Sequence, residues 1–498
     1  MPLAALIAGG IFAFGLAPFD IWVLSIVSAA ALFWLLEVRS GVSSDGGKRS
    51  NAFFIGWLYG VGKYGVGVSW IYVSIHEHGH AAPALAAFLV AVFVAGMALF
   101  HGAAAVLFVK LKWRNSVFNA VWFTTIWILL EWLLTWFLTG FPWLFVGYAM
   151  IDTPLAAYAP VGGVFLVGFV AVLTGCLLAC ARTSRWIALV AAGSAWLGTW
   201  ALADVRWTAP AAEHTVALVQ GDISQQIKWR GESRQQILDT YVELSEPVWD
   251  RDIVIWPEAA ITLYHHQAKA FLDEMARRLS GTSGTLVLGI PVARRTPEGW
   301  LFFNAAVSVG AGTGRYLKQR LVPFGEYVPF DSMLRGMIEF FDMPMSTLER
   351  GPPGQPLLTA GDLALAMLIC YEIAYPQIVL EQARQADVLV TISNDTWFGG
   401  SIGPIQHLQM ARMRALEAGR YLLRSTNDGI TAIVDDQGEI VNSLAQFEPG
   451  VLTGTFRSMS GLTPYLRAGN VPTIATLLTL LGLLLVVRFT RFVVRFTQ

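Results

Sequence analysis

Eight apolar stretches, seven before residue 206 and one after residue 470, constrain this 498-residue chain more than any other feature. They run over approximately 3–18, 21–37, 52–72, 82–109, 117–139, 160–181, 186–205 and 471–488. A helix needs about 20 mostly apolar residues to cross ~30 Å of hydrocarbon, where the backbone must satisfy its own polar groups. Of the 69 charged side chains, 16 lie in residues 1–205 and 53 in residues 206–498. Two kinds of polypeptide are therefore joined: a multi-pass α-helical membrane domain of about eight helices and a water-soluble domain. The first stretch is short and contains Gly9 and Gly10. It has no basic lead and no small-residue cleavage site, so it reads as a retained helix and not as a removable signal.

Orientation follows from the loops that carry Lys and Arg. Arg39, Lys48 and Arg49 lie in 38–51; Lys110, Lys112 and Arg114 in 110–116; Arg182 and Arg185 in 182–185; and Arg488, Arg491 and Arg495 in the tail. The alternate connections APFDIW, HEHGH and FPWLFVGYAMIDTP have neither residue. The positive-inside rule then makes both termini cytoplasmic. The expected organisation is a membrane domain over 1–205 with seven helices, an extracytoplasmic domain over 206–470, and a last helix with a short basic tail over 471–498. A net charge of −1 gives no basic surface for a phosphate backbone, which excludes nucleic acid as a partner. Cys176 and Cys180 fall in the sixth helix, so Cys370 has no soluble partner for a disulfide.

From His214 onward the pattern becomes short β-rich runs: HTVALVQ, DIVIW, GTLVLGIPV, FFNAAVSVG, RYLKQRLV, LALAMLI, VLVTIS, GITAIVDD with GEIVNSL, and GVLTGTF. Helical patterns sit between them, notably SRQQILDTYVELSEPV, AKAFLDEMARRLS and IQHLQMARMRALEAGRYLLRS. This alternation predicts an α/β domain, and the nearly continuous apolar runs predict sheet covered on both faces. A long loop is expected over 323–357, where Phe324, Phe330, Phe340, Phe341, Met343 and Met345 suit contact with lipid or an acyl chain, or else cover the domain's own core.

Three residues are candidates to carry the chemistry of this domain, although singly each also reads as ordinary structure: a capping Glu, a surface Lys and a Cys that is only a small buried hydrophobe. Cys370 stands where the apolar run LALAMLI breaks into CYEIAYP, a lone thiol at the mouth of a buried strand that is placed like a nucleophile. Glu258 closes DIVIWPE and is placed to act as a general base. Lys318, in GRYLKQRLVPFGEYVPF, supplies a positive charge for the oxyanion of a tetrahedral intermediate, and backbone N–H groups after Cys370 would complete that hole if a helix begins there.

The order WPE, a Lys on a strand, then CYE resembles the nitrilase superfamily, whose Glu-Lys-Cys triad lies on an αββα sandwich. The fuller set QGDISQQIKW, IWPEAAI, LVPFGEYVPF, ICYEIAYP, TISNDTWFG, QHLQMARMRALE and RSTNDGITA resembles its membrane-embedded branch, the apolipoprotein N-acyltransferase family, over the whole chain. That resemblance implies a bacterial cytoplasmic (inner) membrane enzyme with an extracytoplasmic nitrilase-like domain. Its reaction would move a fatty acyl group from a phospholipid, through a Cys thioester, to the α-amino group of an N-terminal diacylglyceryl-cysteine on an apolipoprotein. It implies Glu258 as general base, Lys318 as oxyanion stabiliser and Cys370 as nucleophile. Glu326 matches a second glutamate near the triad, Tyr371 and Glu372 match residues beside the nucleophile, and Trp229 matches a functionally important tryptophan. Asn304 and Arg350 match more loosely. Membrane lipids are expected partners, the chain is expected to work as a monomer, and no cofactor or metal is implied.

Chemistry independent of the resemblance agrees: a thioester holds the acyl group while two lipid substrates exchange, and an apolar site keeps water from it. An anchored carbon–nitrogen hydrolase is the alternative enzyme, with water as acceptor. A transporter or sensor, in which Cys370 is dispensable, is the alternative of another class. Three further features stand out. His76, Glu77, His78 and His80 form an extracytoplasmic turn that either binds a metal or is simply solvated. Lys63 and Glu131 lie within apolar stretches, where they would pair, face a polar cavity or snorkel. Asn394 and Asp395 follow VLVTIS, where they would cap a helix or position part of the site.

Overall fold

The computed structural model describes residues 1–39, 47–329 and 347–496. The side chains of Arg39, Lys48, Arg49, Arg182, Arg185, Arg488, Arg491 and Arg495 lie outside the described residues, as do Phe330, Phe340, Phe341, Met343 and Met345. The chain divides into two compact units, one of residues 1–72, 82–205 and 468–498, the other of residues 73–81 and 206–467.

The first unit is helical: Pro2–Phe12, Val23–Arg39, Gly47–Gly67, Pro83–Lys110, Ser116–Leu133, Ala159–Ala179, Ala181–Ala203 and Val471–Phe496. Among the described residues four helices are long and apolar enough to cross a membrane, within Pro83–Lys110, Ser116–Leu133, Pro154–Ala179 and Trp186–Ala203. Gly9, which weakens its helix by propensity, serves close packing: a Cβ there would stand 1.9 Å from the carbonyl oxygen of Tyr59. Small residues let apolar helices approach in this way.

The stretch expected to run helically over 117–139 stops at Leu133. Leu138 then takes φ +50°, and single 3₁₀ turns lead on to Val146–Met150. Glu131 explains how this irregular backbone is tolerated. Its Oε1 accepts from Val146 N at 3.0 Å and from Trp127 Nε1 at 2.9 Å, so the buried carboxylate satisfies a backbone donor that no helix pairs. Lys63 does not snorkel. It is 2% exposed, with Nζ 4.2 Å from the centre of the Phe12 ring and 5.1 Å from that of Trp127.

The second unit holds two six-stranded sheets. Its strands are β1 (Ala209–Gln220), β2 (Ile253–Ile255), β3 (Thr285–Thr296), β4 (Gly299–Gly310), β5 (Arg315–Leu317), β6 (Leu358–Ala360), β7 (Leu363–Ile369), β8 (Val388–Ser393), β9 (Leu422–Thr426), β10 (Ala432–Val434), β11 (Ile440–Ser443) and β12 (Gly450–Ser460). The sheet orders are β12-β1-β2-β3-β4-β5 and β11-β10-β9-β8-β7-β6. Among these strands β1-β2-β3 and β7-β8-β9 run parallel, and the outer pairs are antiparallel.

One buried core lies between the sheets and joins Val216, Leu218 and Ile255 of the first to Leu365, Met367, Ile392 and Leu423 of the second. A second core packs the other face of the first sheet under Ile237, Tyr241, Leu272 and Met275, which lie on the helices Arg234–Ser245 and Lys269–Leu279. The helices Pro376–Ala383 and Gly403–Ala418 pack against β7 and β9 of the second sheet. Helix, sheet, sheet and helix stack in four layers, and the central strands are covered on both faces, which is why they read as unbroken apolar runs.

Two sequence readings need correction. The helical pattern expected to continue through YLLRS ends at Ala418, because Gly419 takes φ +57°, and the residues beyond it form β9. The strand expected over RYLKQRLV is only Arg315–Leu317, so Lys318 lies one residue past it.

Candidate active site

The carboxyl ends of β2, β7 and β8 meet at one place, as ligand sites do in sheets of this kind. Glu258 follows β2 through Trp256 and Pro257, Cys370 follows β7 directly, and Asn394 follows β8. The turn after β2 is tight. Ala259 takes φ +48°, and a Cβ on Gly289 of β3 would lie 2.7 Å from Glu258 Cα, so only glycine lets this backbone approach.

Both carboxylate oxygens of Glu258 are held. Oε1 accepts from Asn304 Nδ2 at 2.7 Å and from Lys318 Nζ at 3.1 Å, and Oε2 accepts from Asn394 N at 2.9 Å. Lys318 Nζ also reaches Glu326 Oε1 at 2.8 Å, and Asn304 Nδ2 reaches the same atom at 3.2 Å. Glu326 Oε2 accepts from Val322 N at 2.8 Å. The ammonium of Lys318 is 1% exposed. Burial alone would pull its pKa down, but the Glu258 and Glu326 carboxylates more than reverse this and hold it above its ordinary value. Lys318 is therefore a fixed cation flanked by two anions.

Cys370 is buried, and its thiol is pushed well up, first by burial and then by the charge of Glu258, with Lys318 opposing. It is a neutral thiol at physiological pH, and a thiol in that state becomes nucleophilic only with a base to take its proton. Its φ of +52° is in the left-handed region, which costs a non-glycine residue about 1–2 kcal/mol. A 3₁₀ turn, Cys370–Ala374, begins at the thiol residue itself.

Glu372 ties this turn to the lysine loop. Its Oε1 accepts from Tyr316 OH at 3.0 Å, Gln319 N at 2.6 Å and Arg320 N at 3.1 Å, and its Oε2 from Ile369 N at 2.8 Å. Burial pushes this carboxyl up to about 7, against the pull of those donors and of Lys318. Tyr371 is buried with its ring edge-on to Tyr375, at 5.1 Å between centroids.

Arg350 stacks over the Tyr327 ring at 5.1 Å, and the next residue, Gly351, donates its N–H to the carbonyl of Lys318 at 2.8 Å. Trp229 is 38% exposed. It directly follows Lys228, whose buried ammonium reaches the carbonyl of Glu258 at 3.2 Å.

The Asn394 side chain makes no cap; its contribution is the backbone donor to Glu258. The histidine-rich turn belongs to this unit. Ser74 Oγ donates to the carbonyl of Trp397 at 2.6 Å, and the His78 ring lies 5.7 Å from that of Trp397. Among the described residues no group of three His, Cys, Asp or Glu side chains is arranged to hold a metal.

Sequence reasoning missed Lys228, Gly289, His407 and Arg424. His407 and Arg424 lie in motifs that carried the family resemblance, QHLQMARMRALE and RSTNDGITA, but nothing in a single sequence assigns them a place.

Comparison with known proteins covers both units. Residues 8–177 match the apolipoprotein N-acyltransferase N-terminal domain, and residues 215–465 match the carbon-nitrogen hydrolase family. An apolipoprotein N-acyltransferase of Pseudomonas aeruginosa is 44% identical over 475 residues, which covers 93% of this chain and 91% of that protein. One of Pseudomonas syringae pv. tomato is 42% identical, covering 96% and 95%, and one of Photobacterium profundum is 38% identical, covering 94% and 92%. Similarity sustained at this level from the apolar helices through the thiol-bearing sheets leaves one conclusion: the chain belongs to the apolipoprotein N-acyltransferase family.

Proposed function

We propose that this acyltransferase moves a fatty acyl group from a phospholipid to the α-amino group of a diacylglyceryl-cysteine at the N-terminus of an apolipoprotein, with Cys370 carrying the acyl group as a thioester. The observation that carries the mechanism is the doubly anchored carboxylate of Glu258, held by Asn304, Lys318 and the Asn394 N–H, acting on a thiol that burial keeps protonated. Glu258 takes the thiol proton as sulfur attacks the ester carbonyl, and returns it to the leaving lysophospholipid oxygen. In the second half-reaction it takes a proton from the incoming amine as nitrogen attacks the thioester and the thiol is released. Lys318 has three N–H donors, two of which go to carboxylates, and the third serves the oxyanion of each tetrahedral intermediate.

Glu326 holds Lys318 in place, while Glu372 and Tyr371 support the turn that carries the nucleophile. Trp229 and Arg350 contact substrate at the rim. The apolar helices support residence in the bacterial cytoplasmic membrane. The basic loops support eight crossings, with both termini cytoplasmic and residues 206–470 on the outer side. Two substrates that visit one thiol in turn give ping-pong kinetics.

The test is the intact mass of purified wild type and of Cys370→Ser after incubation with a defined phospholipid and no acceptor. One acyl mass is expected on wild type only, discharged by a diacylglyceryl-cysteine peptide. Discharge by water alone would mark an anchored hydrolase. No adduct on a folded wild-type protein would remove Cys370 as the acyl carrier.

A further inference from the structure

Beneath Cys370 lies a second charged layer that the acyl-transfer scheme does not use. The carbonyl oxygen of Cys370 faces His407 Nε2 at 3.2 Å. On the other side of that ring, Nδ1 lies 3.1 Å from Asp395 Oδ1 and 3.1 Å from Arg424 Nη2. Arg424 Nη2 in turn reaches Asp395 Oδ2 at 2.6 Å, and Ser393 Oγ donates to Asp395 Oδ1 at 2.6 Å. His407, Arg424 and Ser393 are fully buried, and Asp395 is 1% exposed.

The partners assign the tautomer. The Cys370 carbonyl only accepts, so Nε2 carries the ring hydrogen, and in the neutral ring Nδ1 accepts from Arg424 Nη2, which also holds Asp395 beside it. Burial and the charge of Arg424 hold His407 below its ordinary pKa, in keeping with a neutral ring. The charge of Arg424 opposes the effect of burial on Asp395 and holds its carboxyl below the ordinary range.

The same short segment serves both reacting groups. Asn394 N donates to Glu258 Oε2 at 2.9 Å, while its neighbour Asp395 sits in the network beneath Cys370. Base and nucleophile are thereby set in register by residues 393–395 at the end of β8. The peptide that must be held is a demanding one, since Cys370 is in the left-handed region that side chains rarely adopt.

We propose that His407 is a positioning residue for acyl transfer: its Nε2–H holds the carbonyl of Cys370, and so keeps the nucleophile in the left-handed conformation that presents its thiol to Glu258, while Arg424 and Asp395 fix the ring. The inference rests on Cys370 being the acyl carrier. His407 is not itself an acid or base in the reaction, because both ring nitrogens are committed to buried protein partners.

The experiment is single-turnover acylation of the full-length protein in detergent, read as the intact-mass adduct on Cys370 over a range of phosphatidylethanolamine concentrations. Wild type is compared with His407→Gln, His407→Asn and His407→Ala. The amide nitrogen of glutamine reaches the place of Nε2, whereas that of asparagine reaches only the place of Nδ1. His407→Gln is expected within about tenfold of the wild-type maximal rate. His407→Asn and His407→Ala are expected to lose about 10²-fold in maximal rate with the half-saturating lipid concentration unchanged, the cost of a misplaced reacting group.

If alanine unfolds the protein, the glutamine and asparagine pair decides. Asparagine as fast as glutamine, glutamine as slow as asparagine, or a loss confined to the half-saturating concentration would each overturn the assignment. A wild type that forms no adduct at all would instead sink the reading of Cys370, and this inference with it.

Discussion

Asn304 donates from Nδ2 to Glu258 Oε1 at 2.7 Å, on the same oxygen that Lys318 reaches at 3.1 Å. With Asn394 N on the other oxygen, the carboxylate is held at both oxygens and cannot rotate freely. The amide supplies a donor without a second positive charge. Two carboxylates share the one ammonium of Lys318, an arrangement that suits the proton-accepting role proposed for Glu258. A second lysine at 304 would quench that base.

Replacing Asn304 by Asp should therefore be worse than replacing it by Ala. Aspartate removes the donor and adds a third carboxylate beside Glu258 and Glu326, whereas alanine only removes the donor. The expected losses in single-turnover acylation are about 10²-fold or more for Asn304→Asp and about tenfold for Asn304→Ala. Equal losses would mean that Asn304 only fills space.

Lys318→Met should strand the buried Glu258 carboxylate and the partly buried Glu326 carboxylate with no cation. Breaking a buried pair by removing one partner costs about 3–5 kcal/mol, so a clear fall in unfolding midpoint is expected along with loss of acylation. Adding Glu326→Gln to that variant removes one of the stranded charges. The double variant should regain much of the stability and none of the activity. A double variant no more stable than Lys318→Met would show that the two carboxylates do not share the lysine energetically.

Glu258 and Cys370 are legible in the sequence because each stands where a fully apolar strand breaks into polar residues, and a buried parallel strand can expose chemistry only at such an end. The four-layer architecture is legible for the same reason: strands covered on both faces show no alternation. Residues whose polarity is satisfied by distant partners are not legible. The helix Gly403–Ala418 carries Gln406, His407, Gln409, Arg414 and Glu417, which suggest a solvated face, yet all five are buried.

Arg424 misled in the same way. It falls in the helical pattern expected to run on from Ala418, and it is a buried strand residue because Gly419 turns the chain. The turn His76–His80 reads as solvated or metal-binding when taken alone. His78 of this turn and the nearby Ser74 meet Trp397, a partner more than 300 residues away that no local pattern announces.

Trp229→Ala should separate binding from folding. The indole is 38% exposed, and truncating a side chain away from buried networks usually changes stability within about 0.5 kcal/mol. The expected effect is a raised half-saturating concentration for lipid substrate with the maximal single-turnover rate little changed. A fall in unfolding midpoint comparable to that of Lys318→Met would instead place Trp229 in the fold.

Lys228→Met should raise stability and lower activity, with the stability gain depending on pH. Burial pulls the Lys228 ammonium down to about 8, against Glu258 and Asp428, from an ordinary value of 10.5. Between those values the folded protein binds fewer protons than the unfolded chain, so wild-type stability rises with pH across that window. Below pH 8 the penalty is present in full, about 3 kcal/mol at 1.36 kcal/mol per pKa unit. Methionine removes that penalty but gives up the hydrogen bond to the Glu258 carbonyl, worth about 1 kcal/mol. At pH 7 the variant should therefore unfold at a higher temperature than wild type, and its advantage should shrink as pH rises from 8 toward 10.5. Its acylation rate should fall, because the backbone of Glu258, the proposed general base, has lost its clamp. Thermal unfolding at pH 7 and pH 9.5, with single-turnover rates at pH 7, checks both halves. A wild type more stable than the variant at pH 7 would mean that Glu258 and Asp428 outweigh burial and make Lys228 part of what holds the fold together.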